Sequence, residues 1–199
     1  YHAAVKHIAG GRTLDIACGV GYGSAILTSV TEVVGVDLEE AAVAQARENY
    51  PEITFIASRY QDYTTDIPFD NIVSLETLEH LENPESFVAF CHASLKKGGK
   101  LIISAPVSYT TDLNSFHLQD FTEKSFNELI TKVCFTQEKV LLKQDQKMLS
   151  AENTQKLSTE EWCKLVLSYL LKPRRIFLRM HDLWKNGLTI KYAIIAYEK

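Results

Sequence analysis

The run Leu14-Asp15-Ile16-Ala17-Cys18-Gly19-Val20-Gly21-Tyr22-Gly23 limits the fold more than any other part of this chain. It reads as a short buried strand that runs into a glycine-rich turn and opens a helix. Glycines give such a turn the dihedrals it needs and let a ligand approach the backbone closely. About one helical unit later, Val33-Val34-Gly35-Val36-Asp37 reads as a second strand ending in an acid. A carboxylate there can accept both hydroxyls of a ribose. Together the two segments predict a site for an adenosine-containing cofactor at the carboxyl edge of a parallel sheet.

The glycine spacing narrows the cofactor. A dinucleotide fingerprint is G-x-G-x-x-G, with pyrophosphate on the helix N-terminus. Here the glycines are Gly19, Gly21 and Gly23, and Ser24 stands at the third dinucleotide position. Asp15, four residues before the first glycine, would repel a pyrophosphate but attract a cation such as the amino group of a methionine moiety. The pattern D-x-A-C-G-x-G-x-G followed by V-x-V-D resembles the class I S-adenosylmethionine-dependent methyltransferases. The resemblance extends over residues 1–145 and 189–199, taking in Phe69-Asp70-Asn71-Ile72-Val73-Ser74-Leu75 and the Leu95–Ser104 stretch with its Gly98-Gly99 turn. It implies a cofactor site of Asp15, Ala17, Gly19, Gly21, Tyr22, Asp37, Leu38, Arg59, Tyr60 and Glu76. Tyr22 either lies over the methionine moiety or only packs. In one place the chain departs from the family pattern. Arg59-Tyr60 stands where many relatives place a small or acidic residue for adenine N6, which leaves Asp62 or the Tyr60 backbone for that contact.

Apolar runs alternate with helical-period segments along the chain, the pattern of a wound parallel sheet. Strands are expected over 12–17, 32–37, 53–57, 70–75 and 99–105, and helices over 22–30, 40–50, 84–97 and 122–133. Asn83 and Pro84 suit the start of the helix near 84, Gly98-Gly99 its end, and Thr122 the cap of the next helix. Segments 135–143 and 189–198 are rich in β-formers and complete the sheet. The expected fold is therefore α/β, a Rossmann-like doubly wound mixed sheet of seven strands; the family resemblance makes the last strand antiparallel. Residues 1–199 form one domain, with 146–188, too long for a hairpin loop, as a helical cap inserted over the acceptor side. Within that insertion, Lys172–Met180 mixes cations with apolar groups. It suits phosphates of a nucleotide-sugar, a peripheral membrane contact with anionic headgroups, or simply a solvated helix. Trp162, His181 and Trp184 are candidates for an acceptor pocket or for ordinary packing.

Glu76-Thr77-Leu78-Glu79-His80 follows the fourth strand, at the ligand-binding edge. In a turn or short helix, positions 76, 79 and 80 share a face. A further histidine, His117, follows the fifth strand. The E-x-x-E-H cluster with that later histidine is similar to two metal-dependent groups, the small-RNA 2′-O-methyltransferases and the ubiquinone-pathway O-methyltransferases. The resemblance implies Glu76, Glu79, His80 and His117 as ligands of Mg²⁺ or Mn²⁺, with His80, Glu79 and His117 as the catalytic group. A sugar hydroxyl is a poor nucleophile near neutral pH, and a bound cation lowers its pKa and orients it. Two other roles for His80 stay open, a metal-free base or wall residue and a packing residue.

Composition excludes several classes. The 199 residues fit one domain with a sizeable core, and a net charge of −4 disfavours extended nucleic acid as a partner. The cysteines, Cys18, Cys91, Cys134 and Cys163, show no C-x-x-C spacing and read as reduced thiols of a cytoplasmic protein. No apolar run is long enough for a transmembrane span, and no signal peptide is visible. The chain opens on Tyr1, which suits a trimmed chain whose N-terminal segment helps to cover the cofactor. The expected reaction is O-methylation of a hydroxyl on a sugar, diol or natural-product acceptor, thus a small molecule or glycan. The rivals are metal-free N-, C- or carboxyl-methylation and a non-catalytic S-adenosylmethionine-binding protein. A nicotinamide dehydrogenase is disfavoured by Ser24 and Asp15.

Overall fold

In the computed structural model, residues 1–8, 10–111, 114–147 and 189–199 are described. Their elements follow in the order α1 (His2–Val5), β1 (Arg12–Ile16), α2 (Tyr22–Leu27), β2 (Glu32–Asp37), α3 (Glu40–Asn49), β3 (Thr54–Ala57), β4 (Phe69–Ser74), a 3-10 turn (Leu78–His80), α4 (Pro84–Ser94), β5 (Leu95–Pro106), α5 (Glu123–Thr131), β6 (Thr136–Lys147) and β7 (Thr189–Glu198). The seven strands form one sheet in the order β3-β2-β1-β4-β5-β7-β6. Strands β1 to β5 pair in parallel, and β7 runs antiparallel to both neighbours, β5 and β6. This is the expected Rossmann-like mixed sheet. The antiparallel strand lies between β5 and β6, so the strand order turns back on itself at that side.

The central strands are largely apolar, as burial under two helical layers requires, although the second face of β1 carries the buried Thr13 and Asp15. Leu14, Ile16, Val34, Val36, Ile72, Leu101 and Ile103 pack with Phe87, Val88 and Cys91 of α4 and Phe126 and Ile130 of α5. The alternate residues Val33, Phe55, Val73 and Ile102 face the other layer, where Ala4, Leu27, Val43 and Ala46 represent α1, α2 and α3. The two-residue period of β1, β2 and β5 thus divides one sheet between two cores.

Local signals set the helix starts. Asn83 caps α4 by accepting from the Ser86 backbone N–H at 3.0 Å, with Pro84 in the first turn. Thr122 forms a capping box with Ser125 at the head of α5. Two expected boundaries need correction. Helix α2 ends at Leu27 rather than 30, and α4 ends at Ser94 rather than 97. Gly98 and Gly99 do not close the helix but lie inside β5. There Leu95 already pairs with Phe69, and the register shifts before Lys100 meets Asn71. Gly98 takes a φ of +75°, and a Cβ on Gly99 would stand 2.9 Å from the Lys96 carbonyl. The glycines serve this irregularity in the strand. The expected cap insertion at 146–188 begins as the last two residues of β6; from 148 to 188 it lies outside the described residues, and so do Trp162, Cys163, the 172–180 run, His181 and Trp184. Among the described residues, no helix is long and apolar enough to cross a membrane.

Gly21, which caps α2, has a φ of +81°, and a Cβ there would stand 2.6 Å from the Phe55 ring and 3.0 Å from Ala46. A left-handed alanine costs about 1–2 kcal/mol and overpacking about 1–3 kcal/mol. Gly21→Ala should therefore lower unfolding free energy by about 2–5 kcal/mol. Denaturant titration checks this; an unchanged midpoint would contradict the packing of the turn against β3.

Candidate active site

The glycine turn is tied to the second strand by one carboxylate. Asp37 Oδ2 accepts from the Gly19 N–H at 2.7 Å, and its Oδ1 accepts from the Glu39 N–H at 2.9 Å. The Ala17 and Cys18 N–H groups both donate to the Val36 carbonyl, at 2.8 and 3.2 Å. Ala17 holds a φ of +65°, a left-handed conformation uncommon outside glycine. The chain thus leaves β1 in a strained step that exposes backbone at the carboxyl edge.

Asp15 lies elsewhere than a ligand-facing acid would. It is fully buried. Ser24 Oγ donates to its Oδ2 at 2.6 Å and the Tyr1 hydroxyl to its Oδ1 at 3.1 Å. Burial pushes its carboxyl up to about 6, against the lowering effect of the Ser24 and Tyr1 hydrogen bonds. Ser24 was weighed only as a departure from the dinucleotide pattern, and the structure gives it this second part. Gly23 belongs to the same packing, since a Cβ there would overlap the Tyr1 ring.

Beside the turn is a cavity of about 610 Å³. Ala17, Asp37, Leu38, Arg59 and Tyr60 line one part of it, and Glu76, Thr77 and His80 another. Six of the expected cofactor residues therefore share a single cavity with His80. Asp15, Gly19, Gly21 and Tyr22 are not in its lining, although Gly19 holds Asp37 from behind. Tyr22 is 60% exposed on the outer side of the turn. Gln61 lines the cavity and Asp62 does not; the Asp62 N–H is turned to the Arg59 carbonyl at 3.0 Å. Tyr60 is braced by a 2.6 Å hydrogen bond with Ser86 and by an edge contact with Phe87.

The acidic end is built from two loops. Glu76 follows β4 with a φ of +56°. Its backbone N–H donates to Ser104 Oγ at 3.0 Å, and that hydroxyl donates to Glu76 Oε1 at 2.7 Å. Desolvation in the cleft raises its pKa, against this hydrogen bond and the nearby His80. Glu79 then turns inward and is only 1% exposed. Its carbonyl accepts from the Leu118 and Gln119 N–H groups at 2.7 and 3.1 Å, which fastens the loop after β5 to the 3-10 turn. Among the described residues, neither carboxylate oxygen of Glu79 has a hydrogen-bond partner. Burial, followed by the repulsion of Glu76, pushes its pKa up to about 8.

Two imidazoles stand beside that carboxylate. His80 Nε2 is 3.9 Å from Glu79 Oε1, and its Nδ1 is 3.0 Å from the Phe116 carbonyl. A carbonyl only accepts, so Nδ1 carries the proton and the neutral ring keeps its lone pair on Nε2. His117 Nδ1 lies 2.7 Å from Thr110 Oγ1, and the two rings meet edge to face at 4.8 Å. Burial and the neighbouring His80 both lower the pKa of His117. One ligand atom from each of Glu79, His80 and His117 falls within 4.8 Å of the others. Glu76 is outside this trio. The regular turn starts only at Leu78 and Glu76 precedes it in a left-handed step, so Glu76 borders the cavity with His80, and repels Glu79, without joining the trio. Ser104, Thr110, Asp120 and the Phe116 carbonyl escaped sequence reasoning, since no spacing rule announces a partner on another strand or a backbone acceptor.

With this geometry in view, residues 14–103 match the family model described as "Methyltransferase domain". The chain is 30% identical over 149 residues to a "Probable S-adenosylmethionine-dependent methyltransferase" of Mycolicibacterium smegmatis, a match spanning 71% of this chain and 58% of that protein. It is 36% identical over 105 residues to the ubiquinone biosynthesis O-methyltransferase of Pseudomonas aeruginosa, spanning 49% of this chain and 45% of the relative. The chain thus spans only part of these relatives. The solved structure of the YcgJ protein from Bacillus subtilis shares the fold, with a TM-score of 0.79, 14% identity and coverage of 100% of this chain and 98% of that one. The matched stretch, residues 14–103, is similar to a methyltransferase domain.

The elevated Asp15 carboxyl makes stability depend on pH. Its folded pKa of about 6 exceeds the ordinary value of 3.8, so the folded state holds the proton more tightly. Stability is gained as pH falls from above 6 towards 4, and lost as pH rises through that window. Each unit is worth about 1.4 kcal/mol, so the swing is about 3 kcal/mol. Urea unfolding of wild type and Asp15→Asn between pH 4 and 7.5 should show the wild type gaining stability relative to the variant as pH falls from 6 towards 4. Parallel curves would show that Asp15 titrates normally.

Proposed function

We propose that this chain transfers the methyl group of S-adenosylmethionine to a hydroxyl oxygen of a small-molecule or glycan acceptor, with a divalent cation held by Glu79, His80 and His117. The observation that carries this reading is the single cavity that runs from Asp37 to His80. Asp37 stands at the end of β2, where its carboxylate can take the ribose hydroxyls in exchange for part of its bonding to Gly19 and Glu39. Leu38 offers an apolar face for the adenine, and Arg59, Tyr60 and Gln61 lie along the same wall. Glu76 and Thr77 then come between the nucleoside end and the acceptor end. The names of the Mycolicibacterium and Pseudomonas relatives support the cofactor and an oxygen acceptor.

The orphaned carboxylate supports the cation. A buried carboxyl without a partner costs a few kcal/mol, and an unpartnered group in a native structure asks for an ion or a proton. One carboxylate and two neutral imidazole nitrogens make a borderline donor set, which suits Mn²⁺ or Zn²⁺ better than Mg²⁺, a cation that prefers oxygen. Glu76, whose Oε1 is held by Ser104, lies outside the trio but keeps its second oxygen free of that bond. The cation would bind the acceptor hydroxyl and increase its acidity, and a vicinal diol would chelate it best.

In the transfer, an oxygen lone pair forms the new bond to the methyl carbon while the carbon–sulfur bond breaks. The electron pair stays on sulfur as S-adenosylhomocysteine, and the hydroxyl proton departs. The sulfonium already makes the methyl electrophilic, so the protein contributes position and desolvation. One observation favours a second reading, in which no cation takes part. The Phe116 carbonyl fixes the His80 lone pair on Nε2, where it can itself accept the hydroxyl proton.

Calorimetry with S-adenosylhomocysteine should show binding to the wild type and a loss of about ten- to a hundredfold in Asp37→Ala, the worth of hydrogen bonds to a charged group. Equal affinities would remove Asp37 from the site, and no binding at all would end the proposal. EDTA treatment followed by Mn²⁺ add-back, with methyl transfer to a diol acceptor as readout, separates the two readings. Activity that is lost and restored supports the cation; full activity in EDTA leaves His80 as the base.

A further inference from the structure

The loop after β5 contains a hydrogen-bond relay for which the reading above has no use. Thr110 is 2% exposed, and its Oγ1 meets His117 Nδ1 at 2.7 Å. The backbone around it is clamped. The Thr110 and Thr111 N–H groups donate to Asp120 Oδ1 at 2.7 and 3.0 Å, and the Thr111 hydroxyl donates to Oδ2 at 2.7 Å. The loop closes on itself as well: the Asn114 N–H donates to the Thr110 carbonyl at 2.9 Å and the His117 N–H to the Asn114 carbonyl at 3.1 Å. Thr110 is therefore fixed before it touches the imidazole.

The neighbouring ring is treated alike. His80 Nδ1 donates to the Phe116 carbonyl, from the same loop. Both histidines of the trio thus present Nδ1 to a loop oxygen, and both are left with Nε2 as the free ring nitrogen. Where imidazoles bind cations, the second nitrogen commonly donates to an oxygen that sets tautomer and ring orientation.

We propose that Thr110 is a positioning residue: its hydroxyl accepts the His117 Nδ1–H, keeps that ring in the Nδ1–H tautomer, and so leaves the Nε2 lone pair for a divalent cation beside Glu79 and His80. Asp120 acts one step further back, by holding the Thr110 backbone. The use of the lone pair rests on the cation reading of the trio. The hydrogen bond and the tautomer do not.

The test compares wild type, the near-isosteric Thr110→Val and the hydroxyl-retaining Thr110→Ser. Long-range ¹H–¹⁵N spectra of the metal-free proteins at pH 8, where ordinary histidines are neutral, report the tautomer of each ring. The wild type and Thr110→Ser should show His117 protonated on Nδ1, and Thr110→Val should lose that preference while His80 keeps its own. Mn²⁺ binding followed by electron paramagnetic resonance should weaken about ten- to a hundredfold in Thr110→Val and recover in Thr110→Ser. S-adenosylhomocysteine affinity should stay level in all three. Should the valine variant unfold, Thr110→Ala carries the same expectation. An Nε2–H tautomer in the wild type, or a His117 ring indifferent to loss of the hydroxyl, overturns the proposal. Equal Mn²⁺ affinity in wild type and Thr110→Val overturns it too. A wild type that binds no Mn²⁺ but whose tautomer depends on Thr110 leaves the positioning role standing and removes the cation reading.

Discussion

Two backbone hydrogen bonds to the Glu79 carbonyl decide what the acceptor end can be. Leu118 and Gln119 donate at 2.7 and 3.1 Å, and so the loop after β5 is fastened to the turn after β4. These strands are neighbours in the sheet, yet their loops leave the edge independently and would otherwise diverge. The fastening carries His117 to His80 and brings the Phe116 carbonyl to the His80 ring. The same residue turns its side chain inward, where neither oxygen finds a donor among the described residues. Burial, followed by the repulsion of Glu76, pushes that carboxyl up to about 8, which favours its neutral form near neutral pH.

Strain marks the same edge. Among the described residues, Ala17, Glu76 and Cys134 are the non-glycine positions with positive φ. The first two follow the carboxyl ends of β1 and β4, adjacent strands at the centre of the sheet, and both line the cavity. Left-handed conformations of this kind cost free energy and persist where surrounding bonds fix them. At Ala17 the bonds are the two amides on the Val36 carbonyl, and at Glu76 they are the paired contacts with Ser104. The strain keeps both chain exits from continuing straight out of the sheet, which opens the space between them.

Much of this was readable in the residues. Apolar periodicity gave β1 to β4 and β7 within a residue or so, because side chains buried under two layers are mostly apolar; β5 begins four residues earlier and β6 ends four residues later than expected, where the strands extend through polar and glycine residues. Asn83 and Thr122 announced their helices, since a cap acts on amides three residues away. The acid ending β2 was visible for the same local reason. Gly98-Gly99 misled, because a glycine pair marks a helix end and a strand irregularity alike, and the choice depends on Leu95 pairing with Phe69 across the sheet. The grouping of Glu76 with Glu79 and His80 is reached by another route than helical spacing: the turn begins only at Leu78, and Glu76 borders the same cavity as His80 from the left-handed step before it. Ser104 and Thr110 were beyond reach, as each is defined by a partner brought in by tertiary structure.

The division of labour between the two ends follows from the sheet. The family-matched stretch, residues 14–103, ends inside β5. It holds the glycine turn, Asp37, the Arg59-Tyr60 wall, and Glu79 with His80. His117, Thr110 and Asp120 all lie beyond it. The nucleoside end rests largely on backbone geometry at strand exits, which tolerates sequence change as long as the turn is kept. The acceptor end joins two side chains from the matched stretch to a loop outside it, and its chemistry depends on side-chain hydrogen bonds that a single substitution abolishes. Among the described residues, the hydrogen bonds of Thr110, Phe116, Leu118 and Gln119 set the facing and the spacing of His117 and His80 against a carboxylate that no described residue pairs by a hydrogen bond, so this corner of the sheet edge depends on contacts made outside the matched stretch.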